Sequence, residues 1–319
     1  MRHKLLELGE QTMVTRRFRT FALITCIGML IVLLAGALVT NTDSGRGCGD
    51  DWPLCNGKFV PAYTVESLIE YSHRAVTGIE GILVVGVFVS IYRKYKREAN
   101  KALKEPMLYA AYTLLFTILQ AIMGAAAVMW PQSDPVMAIH FGISLVAFAT
   151  SMLLVMWCNR DKKGELSEPK YSPKILPLTI GVAIYTYVVV YLGAFIRHTE
   201  SAGGCLGWPL CNGYVLPEIE GAQGVAFIHR IAAALLGLCI LLLYFYIRKL
   251  TGPSPLTRSG LWVFILVVAQ VFSGAWIIAT LGDENWFLAS SLVHNLIIVV
   301  LFTLVIDMAI RAWKFKADK

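Results

Sequence analysis

The sequence predicts an all-α integral membrane protein, whose eight transmembrane helices form two pseudo-symmetric, parallel four-helix bundles. Its composition is the first reason: 57% of the 319 residues are hydrophobic and only 15% are charged, far from the average soluble domain. The second is a series of eight apolar runs, each long enough to cross a hydrocarbon layer of about 30 Å. The third is a loop motif that occurs once in each half of the chain. Little of the chain is left for a soluble domain.

The eight apolar runs are separated by short polar connections. The first run follows three arginines and resembles a signal peptide. It is longer than the apolar region of such peptides, however, and its counterpart in the second half is internal, so we interpret it as the first helix. The predicted spans lie near residues 20–40, 74–92, 107–129, 136–157, 175–195, 228–247, 260–280 and 289–312.

The repeated motif shows that the chain consists of two related halves. Residues 48–74 contain C, then W-P-L-C-N-G, then S-H-R, and residues 205–230 contain C, then W-P-L-C-N-G, then I-H-R. Each copy is accompanied by four spans, so both halves begin on the same side of the membrane and are related by an axis along its normal. We expect an N-terminal half at 1–159, a cytoplasmic linker at 160–174 and a C-terminal half at 175–319.

The two halves also share small residues in matching spans, and their third spans share a glutamine one turn before a glycine. Small residues allow helices to approach closely in lipid. The matching pairs are Gly36 and Gly193, Gln120 and Gln270, and Gly124 and Gly274.

The distribution of basic residues predicts the orientation. Most of the 28 Lys and Arg lie in the two terminal segments and in the loops after the second, fourth and sixth spans, and such residues are retained in the cytoplasm. Both termini are therefore predicted to be cytoplasmic, and the two cysteine loops extracellular, in a multi-pass protein of the cell membrane. The net charge of +7 follows from this sorting and gives no reason to expect a nucleic-acid partner.

Four of the six histidines occupy equivalent places, at or just inside the outer ends of the even-numbered spans. These are His73, His140, His229 and His294, whereas His3 and His198 are interpreted as surface residues. A polar ring at membrane depth is costly unless it faces the bundle interior and has a task. Each ring could hydrogen-bond a neighbouring helix. Two imidazoles per bundle also suit the axial positions of haem iron, whereas a closed zinc site usually needs four ligands.

The cysteine pairs of the two outer loops are predicted to form disulfides. Cys48 and Cys55, and likewise Cys205 and Cys211, are close in sequence and face an oxidising compartment. A bridge across so short a loop stabilises the fold by roughly 2–3 kcal/mol. A redox-active dithiol is the functional alternative to this structural role.

Differences between the halves point to the reactive site. Glu70 lies three residues before His73, on the same face of a helix, and its counterpart is Ala226. A carboxylate there could transfer a proton or position water; it could also be an exposed acid favoured by the helix dipole. Glu80 lies deeper on that face, as a buried acid or as part of a proton route.

One arginine follows the outer histidine in each half. Arg74 and Arg230 could pair with haem propionates, because guanidinium groups match carboxylates. Snorkelling to the membrane interface is the alternative for both.

Taken together, the eight spans, the E-x-x-H-R motif at 70–74, the two cysteine loops and the histidines of the fourth and eighth spans resemble haem A synthase, of the bacterial type with outer cysteine pairs. The resemblance covers nearly the whole chain. It implies an oxidoreductase that converts a ring methyl of haem O to a formyl group by successive hydroxylations, with water as oxygen source, for terminal oxidase assembly.

The resemblance also implies roles for individual residues. His73 and His140 would ligate the substrate haem O, His229 and His294 a permanent haem b cofactor, and Glu70 would be catalytic. The Cys48 and Cys55 disulfide would be functionally important. An enzyme that produces haem O and an electron acceptor in the bilayer are the expected partners. Three alternatives are a di-haem cytochrome b that transfers electrons, a thiol oxidoreductase of the outer face, and a haem exporter.

Overall fold

The computed structural model describes residues 12–59, 63–130 and 133–318. Within these ranges the regular structure is helical, without strands, and eight α-helices are long and apolar enough to cross a membrane. The predicted fold class and number of spans are therefore confirmed. The helices are α1 (Arg16–Asn41), α2 (Val65–Glu98), α3 (Lys104–Met129), α4 (Asp134–Lys163), α5 (Ile175–His198), α6 (Gly221–Thr251), α7 (Pro255–Ala279) and α8 (Glu284–Lys314).

Several helices extend beyond the apolar runs because polar residues support their ends. Side-chain oxygens accept a backbone N–H of the first turn in four helices, as N-caps do. The last turns of α2, α4, α6 and α8 carry Lys or Arg, which are stabilised at the negative end of the helix dipole. The capping residues are Thr15, Thr64, Ser254 and Asp283.

The helices of the two halves pack in the same order. In the N-terminal half α1 contacts α2 and α4, and α3 contacts α2 and α4; in the C-terminal half α5 contacts α6 and α8, and α7 contacts α6 and α8. Contacts of α4 with α5 and α8, and of α1 with α8, join the halves. This order agrees with two four-helix bundles, and their pseudo-symmetry remains a prediction.

Burial distinguishes a central layer from an outer one. About half of the most apolar stretch of α4 and of α8 is buried, against less than a fifth for α3 and α7. The outer helices expose large apolar side chains, among them Ile118, Ile122, Trp262 and Phe272. Such a surface fits lipid rather than water.

The predicted linker is held against α8 by ion pairs at the basic end of the bundle. Arg311 binds Glu168 of the linker at 2.7 Å and Asp307 at 3.3 Å, and Arg160 at the end of α4 binds Asp307 at 2.8 Å. Asp307 and Arg311 are buried, so these charges depend on one another. The network fixes the two halves to each other at the side opposite the cysteine loops.

Candidate functional site

The histidines of α2 and α6 each lie against a glycine of the preceding helix. A Cβ at Gly36 of α1 would be 3.3 Å from Cε1 of His73, and a Cβ at Gly193 of α5 would be 3.0 Å from Cε1 of His229. Both distances are shorter than ordinary van der Waals contact. Because glycine has no side chain, the two imidazole rings can lie directly against α1 and α5.

The histidines of α4 and α8 repeat this arrangement with a glycine of the third span. Cε1 of His140 would be 3.9 Å from a Cβ at Gly124, and Cε1 of His294 would be 3.4 Å from a Cβ at Gly274. All four rings thus point into the bundles toward a glycine shared by the halves. The sequence identified these glycines as packing positions and missed that they face the histidines.

The structure brings the histidines together in pairs, one pair in each half. His140 interacts electrostatically with His73, and His294 with His229. The Nδ1 atoms of His73, His140 and His229 are buried and have no hydrogen-bond partner among the described residues. Buried polar atoms without a partner are uncommon, and these nitrogens are free to bind a ligand.

The donor sets fit haem iron. Within the described ranges, His, Cys, Asp and Glu nowhere form a group of three or more that could hold a metal ion. The pair of imidazoles in each half fits a porphyrin iron, because the four ring nitrogens leave two axial positions for protein ligands.

The pair in the C-terminal half has an additional hydrogen-bond partner. The Ser273 hydroxyl lies 2.8 Å from Nδ1 of His294, and the Gln270 amide nitrogen lies 2.9 Å from Nε2 of the same ring. In the N-terminal half Met123 stands in the place of the serine, and Gln120 donates to the backbone carbonyl of His140 at 2.6 Å. Among the described residues, a hydroxyl therefore orients a histidine ring in the C-terminal pair and not in the N-terminal pair.

Glu70 is buried in the second turn of α2 and is tied to the first cysteine loop. It accepts a hydrogen bond from the backbone N–H of Cys48 at 2.8 Å and an ion-pair hydrogen bond from Arg74 at 2.5 Å. Arg74 also donates to the carbonyls of Asp51 and Leu54, at 2.7 and 2.6 Å. Since α2 begins at Val65, Glu70 and His73 lie on one helical face, and the exposed helix-start interpretation of Glu70 is wrong.

The second loop shows the same arrangement without the carboxylate. Arg230 donates to the carbonyls of Gly207 and Leu210 at 2.9 Å, and also to the carbonyl of Cys205. Ala226 occupies the place of the glutamate. Both arginines thus hold a loop, and a role toward haem propionates remains a prediction.

Both predicted cysteine pairs lie at bonding distance. Cys48 and Cys55, with sulfurs 2.07 Å apart, and Cys205 and Cys211, with sulfurs 1.90 Å apart, are all buried beneath their loops. The first pair lies next to the glutamate, since Cys48 itself donates to Glu70. The second pair has no acid at the matching position.

His198 differs from its interpretation as a surface residue. It ends α5, is half-buried and interacts electrostatically with His140 and Asp134. No pattern in the sequence indicates this interaction, because it joins the two halves. His3 lies outside the described residues.

Comparison with known proteins identifies the family. The family model COX15-CtaA, described as a cytochrome oxidase assembly protein, matches residues 19–67 and 62–306. The chain belongs to this family. It is 39% identical to the heme A synthase of Symbiobacterium thermophilum, over 88% of this chain and 90% of that protein.

Other relatives carry the same name. The heme A synthase of Exiguobacterium sibiricum is 37% identical over 94% of this chain and 97% of its own length, and that of Bacillus cereus is 38% identical over 95% and 96%. The resemblance found from the loop motifs and histidines is therefore confirmed at the level of the family.

Proposed function

We propose that this chain is a haem A synthase, an oxidoreductase that converts haem O to haem A in the membrane, and that its two halves have different tasks. The family and its relatives support the reaction. The observation that divides the tasks is a buried carboxylate, Glu70, one turn before the outer histidine of only one half. The N-terminal half is accordingly the site of oxidation.

The substrate haem O is held between His73 and His140. Each ring has a buried nitrogen without a hydrogen-bond partner among the described residues. Each ring lies against a glycine of the adjoining helix, where there is no side chain to exclude it. Conversion of the methyl to a formyl group with one net water removes four protons and four electrons, by way of an alcohol and a geminal diol that loses water.

Glu70 handles protons or positions water at this site. Its two hydrogen bonds fix the carboxylate at the boundary between the cysteine loop and the helix. A carboxylate fixed in this way can accelerate a reaction by transferring a proton in the transition state. The Cys48 and Cys55 disulfide keeps in place the loop whose N–H holds Glu70.

The C-terminal half holds haem b between His229 and His294. When bound, haem b would supply an electron acceptor within the same protein. With haem b bound, Ser273 would orient the ring through Nδ1, as outer hydrogen bonds orient histidine ligands, and Gln270 would release Nε2 to the iron. The same position in the substrate half lacks the hydroxyl, which suits a haem that must enter and leave.

The protein lies in the cell membrane with both termini in the cytoplasm and the cysteine loops outside. The basic helix ends support this orientation. Haem O comes from an enzyme that produces it, and the electrons pass to an acceptor in the bilayer.

The test is to express the chain in cells that supply haem O and to identify the pigments extracted from the purified protein. We expect haem A from the parent and from Ala226→Ser, the matched position in the other half. Glu70→Ala should give haem O or its alcohol. Haem A from Glu70→Ala at the parent's rate would overturn the assignment of the acid, and no haem A from the parent would overturn the function.

A further inference from the structure

A cluster of polar side chains lies inside the N-terminal half, on the cytoplasmic side of its histidines. The hydroxyls of Thr25, Thr113 and Ser151 line a small cavity between α1, α2, α3 and α4, with room for about one water molecule. All three residues are at most 4% exposed. Thr113 continues the cluster through a hydrogen bond of 3.0 Å to Thr150.

Glu80 lies on α2 one turn before Val84, which lines this cavity. It is 3% exposed and faces Gly28 of α1 so closely that a Cβ there would collide with its carboxylate. Cys26 lies near both, since it interacts electrostatically with Glu80 and with the side chain of Ser151, which lines the cavity. Glu80 is seven residues after His73, or about 10 Å deeper along the helix.

Two atoms of the cluster lack a partner. Oε1 of Glu80 and Oγ1 of Thr25 are buried without a hydrogen bond among the described residues. Leaving a buried polar group unsatisfied is costly, and bound water is the usual partner of such groups. The unpartnered acid, the unpartnered hydroxyl and the cavity together indicate a site for water.

The C-terminal half shows that the scaffold does not require these polar groups. Aligned through the shared glycines and histidines, each polar residue has an apolar counterpart that is buried in the core. Tyr185 moreover stands where Gly28 leaves room for the acid. The counterparts of Thr25, Glu80, Thr113 and Ser151 are Val182, Leu236, Val263 and Val305.

We propose that Glu80 and the three hydroxyls hold water and form the relay that takes up the protons released when the substrate is oxidised. This rests on the proposed function, because it assigns the oxidation to the N-terminal half. In the first hydroxylation a methyl C–H bond breaks and a C–O bond to a water oxygen forms. Two protons and two electrons leave; the electrons pass to an acceptor in the membrane, and the protons pass through water to Glu80.

The relay is tested with Glu80→Gln, which keeps the shape, and Glu80→Leu, which copies the C-terminal half. Both should form haem A about tenfold more slowly or worse, with a larger solvent isotope effect in D2O than the parent, because proton release becomes limiting. The haem b content and the sum of bound haem O and haem A should stay at the parent's level, with the balance shifted toward haem O. The thermal midpoint of Glu80→Leu should be unchanged or higher, since an unpartnered buried acid is removed. Thr186→Val, which removes a buried hydroxyl of the other half, is the matched control and should keep the parent's rate.

A measurement without turnover separates this inference from the proposed function. The carboxyl stretch of Glu80, identified by its loss in Glu80→Gln, should shift in the infrared spectrum when the protein is transferred to D2O. A band that does not shift, or variants that match the parent's rate, would overturn the relay. A Glu80→Leu protein with a lowered midpoint and lost haem would overturn it too, because the acid would then be structural. A parent that forms no haem A would instead refute the proposed function, while the infrared result still decides whether Glu80 contacts water.

Discussion

Substitutions of Glu70 distinguish its role in the reaction from its role in stabilising the first cysteine loop. Proton transfer by a positioned side chain contributes about 10²–10⁴-fold to a rate, or about 3–5 kcal/mol of the barrier. Glu70→Gln retains an acceptor for the Cys48 N–H but removes the acid. We therefore expect haem A formation to fall by about 10²-fold or more, with the loop intact.

The structural cost of removing Glu70 is smaller than its burial suggests. Breaking a buried ion pair costs about 3–5 kcal/mol when the other charge is left alone. Arg74 would retain the carbonyls of Asp51 and Leu54. The second loop, in which Arg230 binds a third carbonyl beside an alanine, shows that the loop forms without the acid. We expect Glu70→Ala to lose about 1–3 kcal/mol, the cost of one unsatisfied N–H.

The assay is pigment extraction and chromatography during expression with haem O, together with the thermal midpoint in detergent. Glu66→Gln is the matched control, because Glu66 is an exposed acid one turn earlier on α2. Parent-level haem A from Glu70→Gln would refute the reasoning. So would a Glu70→Ala protein that fails to fold, since the second loop predicts that it folds.

Three further changes test the C-terminal half. Gly193→Ala places a methyl 3.0 Å from Cε1 of His229, so we expect a lower haem b content in the purified protein by absorbance. Ser273→Ala frees Nδ1 of His294 and should weaken haem b retention by about tenfold or more, with a shifted reduction potential in a spectroscopic titration. Cys211→Ser opens the second loop and should cost about 2–3 kcal/mol of stability while haem A is still formed, as measured by the thermal midpoint and pigment analysis.

For each of these three predictions, one result would contradict it. Gly237 on α6 has open space at its Cβ position, so Gly237→Ala should keep the parent's haem b content. If Gly193→Ala and Gly237→Ala lost haem b equally, the loss could not be due to contact between the new methyl group and His229. An unchanged potential and retention in Ser273→Ala would show that the hydroxyl does not orient the ligand. Loss of haem A in a folded Cys211→Ser protein would assign the second disulfide a part in the reaction.

The sequence predicted the elements of this fold better than their lengths. Apolar runs identify the spans because lipid requires them, and the runs end where charged residues begin. Helix α2 nevertheless continues to Glu98, because its Lys, Arg and Tyr residues are compatible with a helix outside the membrane.

The candidate site was predictable where the two halves repeat, and less so where contacts are long-range. The four histidines and the lone Glu70 follow from comparing the copies. The hydroxyl at Ser273 carried a signal as well, since the aligned residue is Met123, but only the structure shows that it reaches a histidine ring. The approach of His198 to His140 could not be predicted, because it depends on how α5 packs beside α4.

The most direct test of the account is the pigment content of two histidine variants, His140→Ala and His294→Ala, purified from cells that supply haem O. The account predicts that His140→Ala keeps haem b and lacks both haem O and haem A. It predicts that His294→Ala loses haem b and still contains haem O. Haem b lost from His140→Ala, or kept in His294→Ala, would contradict the division of the two haems between the two halves.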